Sequence, residues 1–180
     1  MKILLIGDIF SMAGREMIDK HLEDIKNSKG INFIIANGEN IAHGNGITNN
    51  YYKFLLEHHI NVVTLCNHSF ANHYIFNFID DAKNLIRPLN YPKGVPGKGF
   101  VTINYNNLKI TIFQVMGRTF MNTSLDCPFE TTEDLLSKID SDIYICDFHG
   151  EATSEKIAFA HHFDGRDRKS TRLNSSHQAI

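Results

Sequence analysis

Four short polar stretches in this chain each follow an apolar run, and together they carry the donors of a metal site. Asp8 closes Ile6-Gly7-Asp8 after residues 2–6, and Glu39 and Asn40 close Asn37-Gly38-Glu39-Asn40 after residues 33–36. Asn67 and His68 follow residues 62–66, and His149 follows residues 142–148. Carboxylate, amide-oxygen and imidazole donors are hard to borderline ligands suited to Mn, Fe or Zn. Parallel strands present their C-terminal ends at one sheet edge, so four such strand ends would gather these donors in one place.

Each residue also has a plainer role. An Asp after a strand is as readily a helix N-cap or turn former. Glu39 can bridge two cations and Asn40 offers a neutral carbonyl oxygen, with Gly38 permitting a tight turn. The alternative for both is a polar turn capping the next segment. The Asn67-His68 pair allows a division of labour, the amide holding metal and the imidazole moving a proton, because histidine titrates near neutrality. The alternative is a hydrogen-bonded surface histidine. His149 is an imidazole ligand candidate that Asp147 or Glu151 could orient. The chain has 10 His, so most serve other ends. His21, His58, His59, His161 and His162 fall on expected helices and read as surface residues.

The elements that must position these groups follow from periodicity. Strands are expected at 2–7, 32–36 and 61–65, with helices at 13–27 and 49–58 between them. Met17, Ile18, Leu22 and Ile25 mark the apolar face of the first helix, and Thr48 is a candidate N-cap for the second. Residues 75–85, with Phe76, Phe78, Ile79 and Ala82, read as a further helix whose aromatic stripe belongs to the core. The Pro- and Gly-rich segment 88–99 is an expected loop. Strands at 100–105 and 109–115 form a hairpin through Asn106-Asn107-Leu108. A helix at 132–139 capped by Thr131 or Thr132, a strand at 142–147 and a helix at 153–163 complete a layered α/β pattern without internal repeats.

A chain of 180 residues with 42% hydrophobic and 21% charged residues fits one domain with a sizeable core. A formal charge of −2 gives no general case for nucleic-acid or membrane binding. Cys66, Cys127 and Cys146 are an odd count without paired spacing, which points to reduced thiols and a cytoplasmic protein. The N-terminal apolar run is too short for a signal peptide or a membrane span.

Taken together, Ile6-Gly7-Asp8-Ile9, Asn37-Gly38-Glu39-Asn40, Asn67-His68 and the long run Asp147-Phe148-His149-Gly150-Glu151-Ala152-Thr153-Ser154-Glu155-Lys156 resemble a known family. They look like the bacterial 2',3'-cyclic-nucleotide 2'-phosphodiesterases of the calcineurin-like metallophosphoesterase superfamily. Arg87-Pro88, Pro96-Gly97-Lys98-Gly99, Met116-Gly117-Arg118 and Asp126-Cys127-Pro128-Phe129 agree. The resemblance implies a four-layer αββα sandwich and a dinuclear centre of divalent or mixed-valence transition metals, Fe or Mn. Asp8 and Asn40 would hold the first ion, Glu39 would bridge, and Asn67 with His149 would hold the second. His68 would be the proton donor as a hydroxide activated by the two metals attacks a 2',3'-cyclic nucleotide, leaving a 3'-nucleotide. The implied partner is this cyclic nucleotide or another small phosphodiester, with neither membrane nor DNA and with no oligomeric state specified. Cys66 departs from the family's usual Gly, and Ser69-Phe70-Ala71 from its usual Thr-Trp-Asp. These departures leave room for a metal-containing regulatory or binding protein with little turnover.

The resemblance runs to about Arg166. The family's His-x-His pair, one histidine for each metal, is expected soon afterwards. The eleven residues from Asp167 to His177 instead match a sequencing adapter translated in one frame. They carry three bases and one acid, so without them the charge of −2 becomes −4. The expectation is a partial metallophosphoesterase domain over 1–166, incomplete at its C-terminus, and a non-native tail over 167–180. His177 is accordingly not assigned as a ligand, and this chain is expected to hold metal poorly and to catalyse little.

Overall fold

A computed structural model describes residues 1–121, 124–164 and 170–175. The chain divides into two compact units, Met1–Ile86 and Arg87–Ile180.

In the first unit β1 (Ile3–Asp8), β2 (Phe33–Asn37), β3 (Val62–Thr64) and β4 (Leu85–Ile86) form a sheet in that order, every pair parallel. The runs are apolar without alternation because a parallel strand is covered on both faces, and β2 is buried at every position. α1 (Ser11–Lys29) and α2 (Asn49–Glu57) supply Ile18, Leu22 and Leu55 to a core shared with Ile34 and Val63. Met17 and Ile25, expected on the buried face of α1, are exposed. α1 stops where Gly30 takes a left-handed φ of 63°, its N–H returning to the last carbonyls. Thr48 caps α2 as expected, its Oγ1 accepting from the Tyr51 N–H at 3.4 Å.

The expected helix over 75–85 does not form. A short 3-10 turn covers His73–Asn77, and Leu85–Ile86 pair with Val63–Thr64 instead. Ile75, Phe78, Ile79 and Ala82 are buried, so the helical spacing did locate core residues, but Phe76, expected in the buried aromatic stripe, is exposed because no helix turns it inward. Isolated bonds from Ile79 N to Ile75 O and from Ala82 N to Phe78 O keep that spacing without a continuous helix.

The second unit holds β5 (Phe100–Tyr105), β6 (Leu108–Met116), β7 (Ile143–His149) and β8 (Ser170–Ser175), again in chain order. β5 and β6 are antiparallel, while β7 runs parallel to both β6 and β8. Asn106 and Asn107 carry φ of 50° and 62° and join β5 to β6 in two residues, the left-handed pair a tight hairpin needs. α3 (Pro128–Lys138) begins four residues before its expected start, because Pro128 opens the first turn and no side chain caps it. Thr132 therefore lies within the helix, buried. α4 (Thr153–His162) matches its expected span. Phe113, Val115, Leu135, Phe148, Phe159 and Phe163 form the core.

Buried polar groups fasten the irregular segments of this unit. The Arg87 guanidinium donates to the carbonyls of Pro88 (2.7 Å), Val95 (3.2 Å) and Pro96 (3.4 Å), tying down the expected loop. Burial lowers its pKa from the usual arginine value. Asn90 is fully buried and takes both the N–H and the C=O of Met116, at 2.9 and 2.7 Å, and the carbonyl of Asp126 at 3.1 Å.

Both units have the expected α/β make-up. β8 is an element that apolar periodicity did not anticipate, and it falls within the segment expected to be non-native. Residues 167–169 and 176–180, with His177, lie outside the described residues. None of the three cysteines forms a disulfide, and Cys66 and Cys146 are buried. Among the described residues no helix is long and apolar enough to cross a membrane.

Candidate metal centre

β1, β2 and β3 are parallel neighbours, so their C-terminal ends share one edge of the first sheet. Asp8, Glu39, Asn40, Asn67 and His68 all leave from that edge. Asp8 reaches it through an irregularity. The register slips by one residue at Gly7, pairing Ile6 with Ala36 and Asp8 with Asn37, and such a slip re-aims the side chain that follows.

Hydrogen bonds join the three strand ends. Asn40 Nδ2 donates to Asp8 Oδ1 at 2.9 Å, and Asn40 Oδ1 faces His68 Nδ1 at 2.7 Å. Because the amide gives its N–H to the carboxylate, its oxygen is the acceptor, and His68 Nδ1 carries the hydrogen between them. The free ring nitrogen, Nε2, is then the one that could serve a substrate. The His68 backbone N–H donates to Glu39 Oε2 at 3.2 Å. Glu39 is fully buried and Asn40 nearly so, whereas Asp8, Asn67 and His68 are half-buried.

Gly38 is needed for a reason other than the expected turn. A Cβ there would lie 3.0 Å from Val63 Cγ1 and 3.4 Å from side-chain atoms of Ile47 and Leu55. Asn37 is the site residue that sequence reasoning left without a role. Its Oδ1 accepts from the Glu39 N–H and its Nδ2 donates to Cys66 Sγ, both at 3.1 Å. The only sequence signal was its place at the head of Asn37-Gly38-Glu39-Asn40.

In the second unit His149 closes β7 opposite Met116 and is buried, its carbonyl accepting from the Gly117 N–H at 2.7 Å. Asp147, also buried, shares its strand face two residues earlier, and Glu151 is exposed. Glu155, in the first turn of α4, accepts from the N–H groups of Arg118 (2.9 Å) and Thr119 (3.2 Å). A Cβ on Gly117 would meet that carboxylate, so any other residue there would push the Glu155 side chain off the two N–H groups.

The donors at the first unit's sheet edge fit a hard divalent cation. The carboxylates of Asp8 and Glu39 and the amide oxygen of Asn40 are linked there through His68, one carboxylate wholly withdrawn from water, and Asn40 Oδ1 keeps a second lone pair beside its bond to His68.

The family model described as YmdB-like protein matches residues 4–170. A curated relative from Bacillus subtilis (strain 168), a 2',3'-cyclic-nucleotide 2'-phosphodiesterase, is 41% identical over 169 residues, covering 92% of this chain and 63% of the relative. The chain thus spans less than two thirds of that relative's length. The crystal structure of a hypothetical protein from Thermus thermophilus superposes with a TM-score of 0.89 at 36% identity, covering 100% of this chain and 71% of that one. That of a novel phosphatase from Mycoplasma pneumoniae gives 0.88 at 32% identity, over 96% and 64%.

Proposed function

This chain belongs to the YmdB-like protein family, and from that membership we propose that it is built for metal-dependent hydrolysis of 2',3'-cyclic nucleotides to 3'-nucleotides. The observation that carries the proposal is the linked set Asp8–Asn40–His68, with Glu39 fixed beside it. Asp8, Glu39, Asn40 and Asn67 are the ligands proposed from the first unit and His149 the one proposed from the second. The ions proposed are Fe or Mn, and the setting proposed is the cytoplasm. Residues 1–166 are proposed to carry these functions, with 167–180 taking no part.

Bound divalent cations would neutralise charge on the phosphodiester and lower the pKa of an attacking water. The chain's own groups do the rest. Glu39, buried and held by the His68 N–H, presents its carboxylate in a fixed place. Asn40 holds the His68 ring by Nδ1–H, which leaves Nε2 to face the substrate; as the imidazolium, with a second hydrogen on Nε2, the ring would give that proton to the departing 2'-oxygen and return to the neutral form.

The test is His68→Ala assayed on a 2',3'-cyclic mononucleotide, with metal content measured on the same samples. Turnover should fall by about 100-fold or more while metal content is kept. Equal turnover in parent and variant would remove His68 from the mechanism. Stoichiometric metal in a parent that hydrolyses no phosphoester would favour a binding protein.

A further inference from the structure

One group at this sheet edge has no part in the proposed hydrolysis. Cys66 is wholly buried at the end of the β3 segment, immediately before Asn67. A Glu39 carboxylate oxygen and the Cys66 sulfur lie within 4.8 Å of each other. Two donors sharing one tetrahedral zinc stand about 3.5 Å apart, given metal–sulfur and metal–oxygen lengths of about 2.3 and 2.1 Å, so a small adjustment would let one ion meet both.

The sulfur's surroundings suit coordination. Asn37 Oδ1 is engaged by the Glu39 N–H, which fixes the amide so that Nδ2 points at Cys66 Sγ. That N–H holds the Cys66 sulfur in one position at 3.1 Å. The same amide thereby sets the position of the carboxylate's backbone and of the sulfur together.

We infer that Cys66 is a soft donor at this centre, one that biases it toward thiophilic divalent cations such as Zn2+ and Cd2+ over Mn2+. On binding, the S–H bond breaks, its proton passes to solvent, and the sulfur electron pair forms the bond to the ion. No oxidation state changes. The inference rests on the metal-site reading of Glu39 and its neighbours, and extends it from oxygen donors to a thiolate.

The experiment titrates the full chain with Cd2+ and follows both heat and the sulfur-to-cadmium charge-transfer band in the ultraviolet. The parent should bind with the band present. Cys66→Ser should lose the band and about tenfold or more in Cd2+ affinity while Mn2+ affinity holds, and Cys127→Ser should keep the band. Heat without a band in the parent, or a band that survives Cys66→Ser, overturns the inference and leaves the oxygen-donor centre standing. Absence of binding by both Cd2+ and Mn2+ overturns the metal-site reading together with it. Should Cys66→Ser fail to fold, cadmium NMR on the parent decides the same point. A resonance in the sulfur-ligated range supports the inference, and one in the all-oxygen range removes it.

Discussion

Two sets of polar side chains, one in each unit, are satisfied in different ways. At the carboxyl edge of the first sheet, Asp8, Asn40 and His68 bond to one another through their side chains, and Asn37 reaches the Cys66 sulfur. In the second unit the side chains of Arg87, Asn90 and Glu155 bond to main-chain groups. Burial of polarity therefore does not by itself mark a functional site. A side chain that serves the backbone is holding a loop, while side chains that meet one another at a shared sheet edge make an arrangement available to a third party.

The sharpest way to break this contrast is Glu39→Gln. It should lower Mn2+ affinity by about 100-fold in calorimetric titration. The metal-free melting temperature should stay level or rise, because sites built for ligands are commonly held at a cost to stability. A melting loss without an affinity loss would place Glu39 with the structural group. Asn90→Ala should do the reverse. It leaves the buried C=O and N–H of Met116 and the C=O of Asp126 without this partner and should cost about 3 kcal/mol in urea unfolding, with Mn2+ affinity unchanged. Gly117→Ala forces the Glu155 carboxylate off two N–H groups and should cost about 2 kcal/mol by the same measurement.

The smallest effect belongs to an exposed reference. Hydrogen bonds from Lys26 and then Asn27 lower the Glu23 pKa below the ordinary carboxylate value. A depressed folded pKa gives stability that is present above the unfolded value and lost as pH falls through the folded one. The stability difference between parent and Glu23→Gln should therefore be slight near neutrality and vanish in acid. A difference that grows in acid would contradict that sign.

Strand–helix order was readable because apolar runs and helical spacing report burial directly. Thr48 was readable because capping is local chemistry. β4 was not, since two residues carry no period and Leu85–Ile86 become a strand only when Val63–Thr64 lie alongside. The start of α3 is not marked by a hydroxyl cap, because Pro128 sets the first turn and Cys127 at the N-cap makes no side-chain bond. At the candidate site the residue types were visible, but the Gly7 slip that aims Asp8 and the double role of Asn37 arise from pairing between residues far apart in the chain.

The strand order of the first unit also has a consequence for how the molecule is made. Each of β2, β3 and β4 is laid beside the strand synthesised just before it. A ribosome releasing this chain can therefore deliver one sheet neighbour at a time, without any strand waiting for a distant partner. By the time Ile86 has emerged, Asp8, Glu39, Asn40, Cys66 and His68 are all available, so the donor set can assemble on the nascent chain before the second unit has been translated.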